Sequence, residues 1–207
     1  TDNNILLQST AGDAITAGSG TFNFFAGSNA GGTATTGDNN IAIGQTALGT
    51  GVVTGGSNVA IGESAMTALT SGGNNVALGT GALCAATTSG ANIAIGSEAL
   101  TTSIDDGECN IAIGRCALGG ADTSGDDNIA IGRSSADALL AGACNVAIGL
   151  NALGAATTGC RNVAIGELAM GGAATTGASN IALGTNSADA MTTGACNIAM
   201  GLNAYGT

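Results

Sequence analysis

The chain is predicted to be all-β: a parallel β-solenoid (a β-roll or β-helix) of about twelve coils of 17–18 residues. Three observations predict it: an unbroken short repeat, a composition with 37 Gly and no Pro or Trp, and an aliphatic character without aromatics. Internal periodicity of this length is the signature of a stacked-coil architecture. At 2% aromatic residues the core must be filled by Ile, Val, Leu and Ala, so it is expected to be thin. At 44% hydrophobic residues the chain is too apolar for a disordered Gly-rich linker.

The repeat is Asn-(Ile/Val)-Ala-(Ile/Leu/Met)-Gly. Its Asn stands at Asn40, Asn58, Asn75, Asn92, Asn110, Asn128, Asn145, Asn162, Asn180 and Asn197. Asn23, in Asn-Phe-Phe-Ala-Gly, is a degenerate copy, and Asn4 a weaker one. We therefore divide the chain into a degenerate entry coil over 1–22 and a continuous solenoid over 23–207. An Ala-Leu or Ala-Met pair follows the Gly, as in Ala117-Leu118, and a small-residue stretch then ends in Thr-Thr-Gly or a relative, as in Thr157-Thr158-Gly159. Residues 128–151 and 180–203 share a longer pattern at an offset of three coils, which suggests duplication of a three-coil block.

Alternation of β-branched residues about a small one reads as a short strand. Ile111 and Ile113 are expected to point one way and Ala112 the other. The following Gly permits a turn at positive φ. Ala-Leu is expected to start a second short strand, and Thr-Thr-Gly to return the chain to the next Asn. Coils stacked at about 4.8 Å give a rod about 55–60 Å long. In register the Asn side chains form a structural ladder, each amide bonded to the next and to turn backbone. Ile and Leu columns are expected to fill the interior. That assignment leaves an outward row of Ala42, Ala60, Ala77, Ala94, Ala112, Ala130, Ala147, Ala164, Ala182 and Ala199. An apolar stripe of that length is read as an interface for lateral packing of identical solenoids, with a homotrimer as the expected assembly.

Charge narrows the function. With 14 acidic and 3 basic residues, Arg115, Arg133 and Arg161, the net charge is −11. No Lys/Arg cluster exists to displace phosphate counterions, so nucleic acid is not an expected partner. Anionic lipid surfaces are disfavoured for the same reason, and no apolar run long enough to insert in a membrane is present. The absence of His removes Ser-His-Asp and Cys-His chemistry and most zinc sites. No catalytic residue, cofactor or enzymatic activity is expected.

Two residue groups retain chemical interest. Acidic side chains gather at two adjacent turns: Asp105, Asp106, Glu108, Asp126 and Asp127. Glu108 and Asp126 share one repeat position and should stack, so Glu108, Asp126 and Asp127 form a weak candidate Ca²⁺ site against the alternative of solvated turns. The six cysteines are Cys84, Cys109, Cys116, Cys144, Cys160 and Cys196, with no Cys-x-x-Cys spacing. Small semi-buried thiols are the expectation, with Cys144 and Cys160, on adjacent coils, close enough in principle for a disulfide.

The Asn-Ile-Ala-Ile-Gly repeat resembles the head repeats of trimeric autotransporter adhesins, which form left-handed parallel β-rolls associated as trimers. The fuller unit, Asn-Val-Ala-Ile-Gly-x-x-Ala-Leu followed by Thr-Thr-Gly, is similar to repeats in bacteriophage tail fibres and related viral surface proteins. The resemblance covers roughly residues 23–205. The present unit is longer than the autotransporter one, which favours the viral comparison. What the resemblance implies is a rod on a virion or outside a cell, spacing or performing attachment to a host glycan or receptor. Two alternatives are an ice-binding solenoid and part of a glycan-processing tailspike. Thr arrays on solenoids can bind ice, but the Thr here are adjacent rather than alternating. A glycan-processing tailspike would use paired carboxylates in a groove, but the aromatics for sugar stacking are scarce.

Overall fold

A computed structural model describes residues 3–15, 20–103 and 107–206. Twelve three-residue strands follow one another: β1 (Ile5–Leu7), β2 (Phe24–Ala26), β3 (Ile41–Ile43), β4 (Val59–Ile61), β5 (Val76–Leu78), β6 (Ile93–Ile95), β7 (Ile111–Ile113), β8 (Ile129–Ile131), β9 (Val146–Ile148), β10 (Val163–Ile165), β11 (Ile181–Leu183) and β12 (Ile198–Met200). They form a single sheet in chain order, every pair parallel. The register never slips: Ile111 lies beside Ile129, Ala112 beside Ala130 and Ile113 beside Ile131. The chain is thus a β-solenoid of eleven turns between its first and last strands.

Each coil has one strand, not two. The Ala-Leu pair that was expected to begin a second strand lies in a turn. The reason is backbone sign. Cys109, Cys116 and Leu118 have φ of 57°, 55° and 50°, and nearly every coil repeats this triplet of left-handed residues. Left-handed residues placed between right-handed ones make corners, not extended chain. The corners are held from outside the coil: Cys116 N–H donates to Ser97 O at 3.1 Å and Leu118 N–H to Ser135 O at 2.9 Å. Asn, Ser and Gly recur at two of the three positions, as at Asn74, Ser134 and Gly81, and these tolerate φ > 0 best.

The turn glycine after each strand is irreplaceable for a second reason. Gly114 has φ 131°, and a Cβ there would lie 2.6 Å from the carbonyl oxygen of Gly132 in the next coil. The coils approach so closely at this corner that only hydrogen fits.

The sheet's sidedness is the reverse of the expectation. Ala42, Ala60, Ala77, Ala94, Ala112, Ala130, Ala147, Ala164 and Ala182 are fully buried, and Ala199 nearly so. These alanines point into the coil and the flanking Ile and Val residues point out. The cause is volume. A coil closed by tight corners leaves one methyl's width beneath the strand, because Ala117 and Leu118 of the same coil already occupy the interior. Coil two shows the constraint by its exception. Phe25 replaces the inward Ala and is fully buried, and the position of the inner Leu is Gly31. A Cβ on Gly31 would lie 2.3 Å from the Phe25 ring. In coil one, Leu6 pairs with Gly12 in the same way. Where the inner Leu is reduced to Ala136 or Ala188, Leu139 or Met191 fills in from the closing segment. The exchange is not strict, since coil four buries Met66 and Leu69 together.

Candidate interaction surface

The Asn ladder runs through the interior from Asn4 to Asn197. At Asn110 the backbone N–H donates to Asn92 Oδ1 at 2.8 Å and Nδ2 donates to Gly125 O at 3.0 Å. Its own Oδ1 accepts the Asn128 N–H at 2.9 Å and Asn128 Nδ2 at 3.1 Å. The same pattern links Asn40, Asn58, Asn75, Asn145, Asn162, Asn180 and Asn197. Each amide thus ties its own strand to the preceding coil and to the closing segment. From Asn23 to Asn180 this ladder is buried architecture, each side-chain oxygen taken by the next coil's Asn.

The exposed candidate is the outer face of the sheet. Two parallel columns of aliphatic side chains run its length, one through Ile41, Val59, Val76, Ile93, Ile111 and Ile129, the other through Ile43, Ile61, Leu78, Ile95, Ile113 and Ile131. Ile41, Ile43 and Ile61 are each 37% exposed. No strand residue is charged. Charges stand along the borders instead, with Glu63, Arg115, Arg133 and Glu167 on one side and Asp127 and Arg161 on the other, all exposed. With side chains about one-third exposed over about 55 Å, the face offers on the order of 1,000 Å² of apolar surface, more than a monomer ordinarily leaves in water. The Ala row expected to be exposed is therefore buried, and the apolar outer face is formed by these Ile and Val columns.

The acidic turn is bonded to backbone of the neighbouring coil. Asp126 Oδ1 accepts the Glu108 N–H at 2.9 Å, and Asp127 N–H donates to Glu108 O at 3.1 Å. Asp38 does the same five coils earlier in the rod, taking the Thr21 N–H at 2.6 Å and its hydroxyl at 3.0 Å. At this repeat position a side-chain acceptor caps the amide of the preceding coil. The backbone amide of Thr21, and then its hydroxyl, hold the Asp38 carboxyl below its ordinary 3.8. Glu108 and Asp126 do share a position, as expected, but among the described residues no group of three or more His, Cys, Asp or Glu side chains is placed to hold a metal. Asp105 and Asp106 lie outside the described residues.

All six cysteines are free thiols. Cys160 Sγ accepts the Ala143 N–H at 3.4 Å, using the same capping position as Asp38 and Asp126. Cys116 donates to Glu98 Oε2 at 3.3 Å, and Arg115 lies 3.9 Å from the same oxygen. Burial, the bond to Glu98 and its charge all push the Cys116 thiol up, and burial raises Cys84. Neither thiol is activated as a nucleophile. Thr hydroxyls are spent between coils: Thr50 donates to Thr67 O and Thr70 to Thr87 O, each at 2.9 Å. A depression of about 230 Å³ beside Asp137, Asn151 and Gly154 is the concavity of note, and no second titratable group lines it.

The fold and this face define a class, a parallel β-solenoid with one apolar sheet wall. No protein-family model matches the chain, and neither a curated protein nor a solved structure is significantly similar to it. Among the described residues no helix is long and apolar enough to cross a membrane.

Proposed function

We propose that the chain is a non-catalytic structural segment of an extracellular or virion-surface fibre, a stiff rod that carries or spaces an attachment function. The observation that supports this reading is the uncharged double column of Ile and Val along a rigid sheet. Water-exposed columns of this extent are an unfavourable end state for a lone rod, and a second copy supplies the same flat, register-matched surface. Bordering charges of both signs suit a polar rim around an apolar centre. The partner is the chain itself, and the resemblance to trimeric heads sets the expected number at three, the copies parallel with their sheet walls facing a common axis.

Mass in solution tests it. Light scattering at micromolar concentration should give three times the 19.3 kDa chain mass. The pair Ile111→Glu and Ile113→Glu, which places charge on the face without touching the interior, should return the mass to one chain with the circular dichroism unchanged. A wild-type monomer would overturn the reading. A dimer would keep the face and remove the threefold count.

A further inference from the structure

We propose that the charges bordering the apolar sheet wall fix how copies of this chain meet: parallel, without axial offset, the border that follows the strands on one copy against the border that precedes them on the next. The inference rests on the lateral association above and adds its polarity and register. Beside β7 and β8 the preceding border carries Glu108, Asp126 and Asp127, and the following border carries Arg115 and Arg133, all exposed. Beside β10 the signs are exchanged, with Arg161 before the strand and Glu167 after it, both exposed. Asp127 and Arg133, on the two borders of β8, are six residues apart across the strand, about 15–20 Å, too far to pair within one coil.

A symmetry axis along the rod, twofold or threefold, brings the following border of one copy to the preceding border of its neighbour, level with level. In that setting every arginine meets a carboxylate: Arg115 meets Glu108, Arg133 meets Asp126 and Asp127, and Arg161 meets Glu167. At the other levels from β3 to β11 no two charges meet, since Asp38 faces Gln45 and Glu63 faces Ser57. A shift of three coils sets Arg115 against Arg161, or Glu167 against Glu108. An antiparallel pair brings like borders together. Arg115 and Arg133 stand on consecutive coils, whereas no two acids of their border do, so no antiparallel setting serves both. Within the chain the arginines are little engaged. Arg115 Nη2 lies 3.9 Å from Glu98 Oε2 with the side chains 65% and 52% exposed, a pairing worth little in water. Arg133 and Arg161 make no ion pair among the described residues. Charges around an apolar centre set register and partner choice more than affinity.

The test is a charge exchange in the 207-residue chain. Arg115→Glu with Arg133→Glu makes both borders acidic at β7 and β8, and should raise the concentration for half-association in sedimentation by about a hundredfold, since facing like charges oppose docking. Raising salt from about 0.05 to about 0.5 M should strengthen association of this variant and weaken that of the wild type, because screening relieves repulsion in one and attraction in the other. Adding Glu108→Arg and Asp127→Arg reverses the pairs and should recover wild-type association. Asp126 stays because it caps the Glu108 N–H, and Arg161 already stands at the repeat position of Asp127, with φ 56°. Circular dichroism should be the same for all three chains. Association of the two-site variant as tight as wild type, or no recovery in the four-site variant, would overturn the proposed polarity and register, while dissociation by the Ile111→Glu/Ile113→Glu pair would still uphold the wall as the interface. A wild-type monomer would overturn both.

Discussion

The two sides of a single strand behave differently in this molecule. Inward, Ala112 sits between Ala94 and Ala130, fully buried, beside the closed amide ladder of Asn92, Asn110 and Asn128. Outward, Ile111 and Ile113 stand half-buried in columns with no partner within the chain above them. The larger, more hydrophobic residue is on the wetter side. Hydrophobicity chooses which residues prefer to be inside, but available volume chooses which can be. Beneath the strand, a coil of 17 or 18 residues with one strand and several left-handed corners has room for little more than a methyl group.

The largest contrast should come from the amide. Asn145→Ala leaves the Asn162 N–H and the Gly159 carbonyl buried without partners, a loss of about 2–4 kcal/mol for two stranded groups. Denaturant unfolding of the isolated chain measures it. Loss under about 1 kcal/mol would mean that water takes the amide's place. Next, Ala112→Leu should destabilise by about 3 kcal/mol, since overpacking a closed interior forces the coils apart. Its outward counterpart, Ile111→Ala, should cost under about 1 kcal/mol in a lone chain, because a half-exposed side chain loses little on truncation. Equal effects for the two would remove the distinction between the sides.

The smallest effect is titratable and opposes two aspartates. Asp38 ionises below its ordinary 3.8 in the folded chain because it accepts the Thr21 amide and hydroxyl. Its contribution is present above the unfolded value and fades as pH falls through the folded one. Asp137 is shifted upward, by burial first, with the Gly120 amide partly offsetting it. Ionised, it opposes folding at neutral pH, and that opposition is relieved as pH falls through its raised folded value. Asp38→Asn should therefore flatten the acid limb of a melting-temperature profile between about pH 2.5 and 7. Asp137→Asn should raise the neutral limb slightly. Profiles that move in the same direction would contradict the two assignments.

Much of the rod was legible beforehand. Regular Asn spacing gave coil length and strand position, because an in-register parallel stack needs the same residue at the same place. The amide ladder followed from an Asn that no other residue replaces from Asn23 to Asn197. The second strand was misread because Ala-Leu looks extended when only hydrophobicity is considered. Its signal was present in the Asn, Ser and Gly that recur beside it, at corners needing φ > 0. The exposed apolar face was expected on the Ala side of the strand and lies on its Ile and Val side. Strand alternation specifies two faces and says nothing about which is inside.

Composition and repeat alone determined the class of fold, the number of coils and the ladder, since these depend on residue identity at fixed intervals. Sidedness was decided only in three dimensions, by the closure of each coil onto its neighbours. The Phe25–Gly31 and Leu6–Gly12 exchanges show how. Residues distant in the repeat share one interior volume, and a one-dimensional pattern does not reveal that they compete for it.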